Sequence, residues 1–182
     1  MIKLPKNINY KKYESTQGMS TKLFGPGTWI FLFSSIMGRF PVKVDLLNTE
    51  HQTIVNSFRQ LFTSLDNLLP CIFCRNSFSQ FLKELPIEPF LIGRIELMYW
   101  LYLMKDKVNK KLIKQEKECY KTAKQNLKKR LDHKKITKDK YKKLLETLRK
   151  NTFKTVPTPP FKKILDFYEA RRGKCNKQKK TC

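Results

Sequence analysis

Between positions 54 and 65 the apolar residues Ile54, Val55, Phe58, Leu61, Phe62 and Leu65 recur at intervals of three and four. That spacing places side chains on one face of an α-helix. The pattern returns along the chain. Cys74, Phe78, Phe81, Leu82 and Leu85 form a second stripe, stopped by Pro86, and a long helix expected after Pro89 carries Ile95, Met98, Leu101, Val108 and Leu112. Phe161, Ile164, Leu165 and Tyr168 make a last short stripe. Upstream, Thr28 follows the breakers Gly25, Pro26 and Gly27 and is expected to cap a short helix ending near Gly38. No run alternates with period two long enough to make a strand. The predicted fold is all-α: a four-helix bundle around one core, a short fifth helix packed across it, and a basic helical insertion.

At 182 residues the chain has the length of about one domain, and its 40% apolar content supports a real core. A net charge of +24 is too much for a compact domain alone. Composition divides the chain into an arm (1–23), a core (24–112 and 155–175), a basic insertion (113–154) and a flexible tail (176–182). The insertion holds sixteen Lys/Arg against five Asp/Glu, and its stretches KECYKTAKQNLKKRL and TKDKYKKLLETLRK have high helix propensity. Tyr120, Leu127 and Leu131, then Tyr141, Leu144, Leu145 and Leu148, give each a thin apolar seam. Such charge suggests contact with nucleic acid, an anionic surface or an acidic partner; a solvated lysine-rich surface is the plainer alternative. No apolar stretch follows the first residues as a secretory signal would require, and the longest apolar run, 28–33, is far short of the ~20 residues that span a bilayer. The expectation is a soluble intracellular protein, in which five cysteines point to redox or metal chemistry rather than a disulfide scaffold.

Cys71 and Cys74 form a C-x-x-C directly after Pro70. If a helix begins there, both sulfurs lie in its first turn, near enough to form a disulfide. The free amides and dipole of a helix start stabilise a thiolate, and Arg75 adds positive charge. A structural zinc site needs two further ligands at compatible spacing. Cys175 and Cys182 lie far along the chain and His51 and His133 stand alone, so no metal site is expected. A thioredoxin-like fold needs a strand before the pair, yet a helical stripe precedes it. Two coincidentally close thiols remain the alternative. A dithiol oxidase needs a two-electron acceptor such as a flavin. The aromatics in register to flank one are Trp29, Phe33, Phe40, Tyr99 and Trp100, each also suited to a core.

Four stretches, in order, resemble the Erv/ALR family of FAD-dependent sulfhydryl oxidases, particularly versions carried by large DNA viruses. FGPGTWIFLFSSIMGRFP is similar to the family's opening helix, LPCIFCRNSF to its C-x-x-C-R-x-x-F redox helix, WLYLMKDKVNKKL to its W-x-x-x-x-H-N-x-V-N-x-x-L helix, and TPPFKKILDFYEARRGKC to its closing segment. The resemblance implies a dimerising helical bundle holding FAD, which oxidises protein thiols, a thioredoxin-like relay protein among them, and reduces O2 to H2O2. It implies Cys71 as the exchange thiol and Cys74 as the one nearest the flavin. Trp29, Lys105, Asp106, Val108 and Asn109 would border the cofactor, with Gly25, Thr28, Phe33, Phe40, Leu112, Tyr168 and Arg171 further candidates. Cys175 and Cys182 would form a shuttle disulfide. Host cytoplasm, viral factory or virion would be the location. Phe24 stands where the pattern has tryptophan, Phe33 where it has histidine, Lys105-Asp106 where it has His-Asn, and Tyr102 and Lys163 where cellular members have a structural disulfide. Those replacements motivate a second reading, an Erv-like structural or virion scaffold protein without catalysis. A third is a nucleic-acid-binding protein.

Overall fold

The computed structural model describes residues 9–16 and 18–173. Among them are six α-helices and two short 3-10 turns, and no strand beyond an isolated antiparallel bridge between Lys43 and Gly93. The all-α expectation holds.

Helix α1 runs Thr21–Arg39, starting well before the expected Thr28. Pro26 falls in its second turn, so the missing N–H deprives a single carbonyl near an exposed helix start, a modest loss beside that of a proline in mid-helix. Thr28 does not cap. Its hydroxyl donates to the Phe24 carbonyl one turn back, at 2.9 Å. At the other end the Phe40 N–H reaches Ile36 O at 3.0 Å and Pro41 follows.

Helix α2 (Thr49–Leu68) begins at Asn48, whose side chain accepts from the amides of Glu50 and His51. The ring of His51 accepts from the Asp45 N–H at 3.1 Å, so this histidine fastens a surface loop. Helix α3 spans Ile72–Glu84, and α4 spans Arg94–Asp132. Thirty-nine residues make α4 about 58 Å long. It crosses the expected boundary at 112/113 without interruption, because no Gly or Pro occurs from Arg94 to Asp132. The first half of the basic insertion is therefore the far end of a core helix. Helix α5 (Lys138–Thr152), capped by Thr137, packs back along it, and α6 (Phe161–Glu169) closes the chain.

The predicted stripes face inward. Ile54, Val55, Phe58, Phe62 and Leu65 of α2 are buried with Phe78 and Phe81 of α3, Leu32, Phe33, Ile36 and Met37 of α1, and Leu97, Met98, Trp100, Leu101 and Met104 of α4. Ile95 and Leu112 are the exceptions on α4, 44% and 42% exposed. Trp100 is fully buried, edge-on to Phe62 at 4.8 Å, and its indole N–H donates to Leu85 O at 3.0 Å. Helix α6 lies on α1 and α4 through rings: Tyr168 stacks on Phe33 at 5.3 Å, and Phe161 sits 5.0 Å from Tyr99 and 5.3 Å from Tyr102. Where the resemblance places a structural cysteine, Tyr102 holds α6 by ring contact. Two polar clasps secure the approach to α6. The Asn109 amide donates to Thr158 Oγ1 at 2.9 Å, and Glu116 accepts from both the amide and hydroxyl of Thr155. No helix of the described residues is long and apolar enough to cross a membrane.

Candidate functional site: a dithiol on a cavity wall

Leu69 and Pro70 end α2, and Cys71 becomes the N-cap of α3. Its sulfur accepts from the Cys74 backbone N–H at 3.4 Å, in the place an N-cap hydroxyl or carboxylate ordinarily occupies. Arg75 folds back to donate to Leu69 O at 2.7 Å, which pins the turn and keeps a guanidinium beside the sulfurs. The arm crosses the same turn: the Met19 N–H donates to Pro70 O at 3.0 Å. Gly18 passes so close that a Cβ there would collide with the same oxygen.

Both cysteines are free and half-buried, yet their acidities diverge. Burial acts to raise the Cys71 pKa. It is outweighed by hydrogen bonds from the Cys74 side chain and the Cys74 and Phe73 amides, with Arg75 assisting, so Cys71 falls below an ordinary thiol. Burial, then the hydrogen bond with Cys71 and its charge, push Cys74 up to about 11, against the opposing charges of Lys111 and Arg75. Within the dithiol, Cys71 is the more acidic thiol and the first to lose its proton.

Both sulfurs border a cavity of about 660 Å³ between α1, α3, α4 and the end of α2. Helix α1 contributes Lys22, Phe24, Gly25, Pro26, Thr28, Trp29 and Leu32; α3 contributes Phe73, Cys74, Ser77, Phe78 and Phe81; α4 contributes Lys105, Val108, Asn109, Lys111, Leu112 and Gln115. Such a volume lies in the range of pockets for organic ligands, about 300–1,000 Å³. Lys105 Nζ stands 4.8 Å from the centre of the Trp29 ring, and burial lowers its pKa. Lys111 hydrogen-bonds Ser77.

Of the residues singled out in the sequence, Gly25, Thr28, Trp29, Lys105, Val108, Asn109 and Leu112 meet on this cavity with Cys71 and Cys74. Seven others stand off its wall, Tyr99 and Trp100 among them: Tyr99 packs on Phe161 and Trp100 is buried against Phe62. Phe33 is buried beneath Tyr168, and Phe40 is buried edge-on to Phe58 at 5.3 Å. Asp106 pairs with Lys110 at 2.7 Å, and Arg171 lies 3.6 Å over the Phe167 ring. Tyr168 itself spends its ring on Phe33, with its pKa raised by burial. The proposed shuttle pair, Cys175 and Cys182, lies outside the described residues. The sequence reading missed Lys111 and Gln115, although they extend the 105–108–112 face by the same three- and four-residue steps. It also missed Lys22 and Phe24, which reach the cavity only because α1 starts at Thr21.

An α-helical bundle that presents a C-x-x-C dithiol to a ligand-sized cavity is the class that fold and site define. The chain belongs to the Erv1/Alr family, whose model matches residues 26–143. Members of that family are generally thiol oxidases and typically flavoproteins that bind FAD. The matched stretch contains the dithiol and all of α2, α3 and α4, while α6 lies beyond it. No curated protein matches the chain.

Proposed function

We propose that the chain is a FAD-dependent thiol oxidase that forms disulfide bonds in protein substrates and passes the electrons to O2, giving H2O2. The observation that carries this reading is the placement of Cys71 and Cys74 together on the cavity wall, with the more acidic sulfur at the helix start. The lining suits FAD. Trp29, Phe78 and Phe81 offer aromatic surface to a flat ring system, and Lys22, Lys105 and Lys111 offer charge to a diphosphate. When bound, FAD supplies a two-electron acceptor that O2 can reoxidise.

The protein's own steps are thiol–disulfide exchanges. A substrate thiolate attacks Cys71 Sγ of the oxidised pair, the Cys71–Cys74 bond breaks, and Cys74 leaves as a thiolate. With Cys71 held in the mixed disulfide, its charge no longer opposes ionisation of Cys74, while Lys111 and Arg75 still favour it. A second substrate thiolate attacks the substrate sulfur of that mixed disulfide. The substrate disulfide forms, Cys71 is released, and the electron pair resides on the Cys71–Cys74 dithiol. Ile72 and Phe73, 57% and 77% exposed beside Cys71, offer apolar contact to a protein thiol substrate such as a thioredoxin-like relay. Ile30 and Phe31, each 59% exposed on α1, suit a homodimer contact. Cys175 and Cys182 are proposed as the relay that feeds the pair.

An oxygen electrode tests the reading. With dithiothreitol the full chain consumes O2 and releases H2O2, while Cys71→Ser and Cys74→Ser do not. Removing residues 174–182 leaves that rate intact and slows a reduced protein substrate. A flavin-loaded wild type that consumes no O2 refutes it.

A further inference from the structure

We propose that the helical hairpin of α5 and the second half of α4 binds the phosphate backbone of duplex nucleic acid without reading its sequence. Residues 113–154 carry sixteen Lys/Arg against five Asp/Glu, so eleven of the chain's twenty-four net positive charges fall in this tract. All sixteen cations are exposed. Lys150 alone among them is in an ion pair, with Glu146 at 2.8 Å. The other fifteen therefore stand in solvent without a carboxylate to neutralise them.

What the hairpin lacks identifies the kind of polyanion. Its apolar residues are spent on the seam between the two helices. Leu127, Leu131, Tyr141, Leu144, Leu145 and Leu148 are half-buried there, and Ile136 is buried at the tip. Phe153, at the base, is the tract's one exposed large apolar residue, and it packs on Tyr120 at 5.1 Å. A helix that lies in a membrane surface needs an apolar face to insert, and none remains. Single strands are held by aromatic platforms for their bases; the exposed length of the hairpin offers none. Fourteen of the sixteen cations are lysines, compact point charges suited to phosphates rather than to the bidentate reading of base edges. The fifteen residues of α5 extend about 22 Å, a length of duplex that displays about 13 phosphates.

The test is fluorescence anisotropy of the full chain with two labelled duplexes of unrelated sequence, a single strand of equal length, and phosphatidylserine vesicles. Both duplexes should bind equally, the single strand about tenfold more weakly, and the vesicles more weakly than duplex. If about six phosphates are engaged, log affinity falls against log salt with a slope near −5. Changing Lys124, Lys128, Lys142 and Lys143 to Gln, which keeps helix propensity, should weaken duplex binding at least tenfold. The slope should become shallower by about 3–4, with dithiothreitol oxidation unchanged. Absence of duplex binding at low salt overturns the proposal. So does a single strand or a vesicle bound more tightly than duplex, or a quadruple variant that binds like wild type.

Discussion

The backbone amide of Cys74 donates to the sulfur of Cys71 across 3.4 Å, so the charge on one cysteine governs the proton on the other. An N-cap with a sulfur in place of the usual oxygen makes the start of α3 both a structural terminus and a reactive one.

This coupling predicts ordered alkylation. In the reduced protein iodoacetamide should modify Cys71 first, at a pH below that needed for an ordinary thiol. Cys74 should stay protected until the pH approaches about 11 while Cys71 is unmodified, and react at lower pH once Cys71 is alkylated. In Cys71→Ser, which removes the neighbouring charge from the outset, Cys74 should react at lower pH than in wild type with a free Cys71. Mass spectrometry of the alkylated peptides across pH reads this. Equal reactivity of the two thiols at neutral pH would contradict it.

Lys111 occupies neither a motif position nor an apolar stripe, yet its charge acts on Cys74 from the cavity wall. Lys111→Met should lower turnover with dithiothreitol severalfold, because it removes a charge that favours the Cys74 thiolate. Alkylation of Cys71 should be unaffected, and Lys111→Arg should recover most of the rate. A Met variant with wild-type turnover would remove Lys111 from the account.

Much of the bundle was legible in the sequence because its stripes are regular. The interior of α2 needed only the three- and four-residue steps from Ile54 to Leu65. What escaped depended on three-dimensional context. Gly25-Pro26-Gly27 reads as a break, but a proline so near an exposed helix start forfeits one hydrogen bond, and α1 runs through it. Motif register also proved coarser than helix geometry. Asp106 follows Lys105 directly, yet one residue turns a side chain about 100° around the helix, enough to take it from the cavity to a pairing with Lys110. Phe33 lies one turn beyond Trp29 and belongs to the core beneath Tyr168. The divergence of the two cysteine acidities required the burial of Cys74 and the hydrogen bonds that converge on Cys71, neither of which spacing encodes.

Trp100 should dominate the stability of the core. Trp100→Ala should cost about 3–5 kcal/mol by cavity formation. Trp100→Phe keeps much of the contact with Phe62 but strands the Leu85 carbonyl, for about 1–3 kcal/mol. Urea denaturation of the two variants measures both. A cost below about 1 kcal/mol for the alanine variant would mean the ring is not the packing centre.

Glu116 ties α4 to the segment leading into α6. Its pKa is lowered by the Thr155 hydroxyl, which outweighs burial, together with the Lys154 and Thr155 amides. A depressed carboxylate adds stability that is present above its unfolded pKa and lost as pH falls through the folded one. Hydrogen-exchange protection at Lys154 and Thr155 should therefore hold at neutral pH and fall below the ordinary carboxylate range. Glu116→Ala should lack that protection at every pH. Protection in wild type that does not change on acidification would contradict this role.

The visible spectrum of the purified full chain tests the central claim most directly. The account predicts a yellow protein with a bound flavin that dithiothreitol bleaches without oxygen and air restores, and a Cys74→Ser variant that stays yellow and is not bleached. A folded protein that remains colourless after incubation with FAD would contradict the oxidase and leave the scaffold reading in its place.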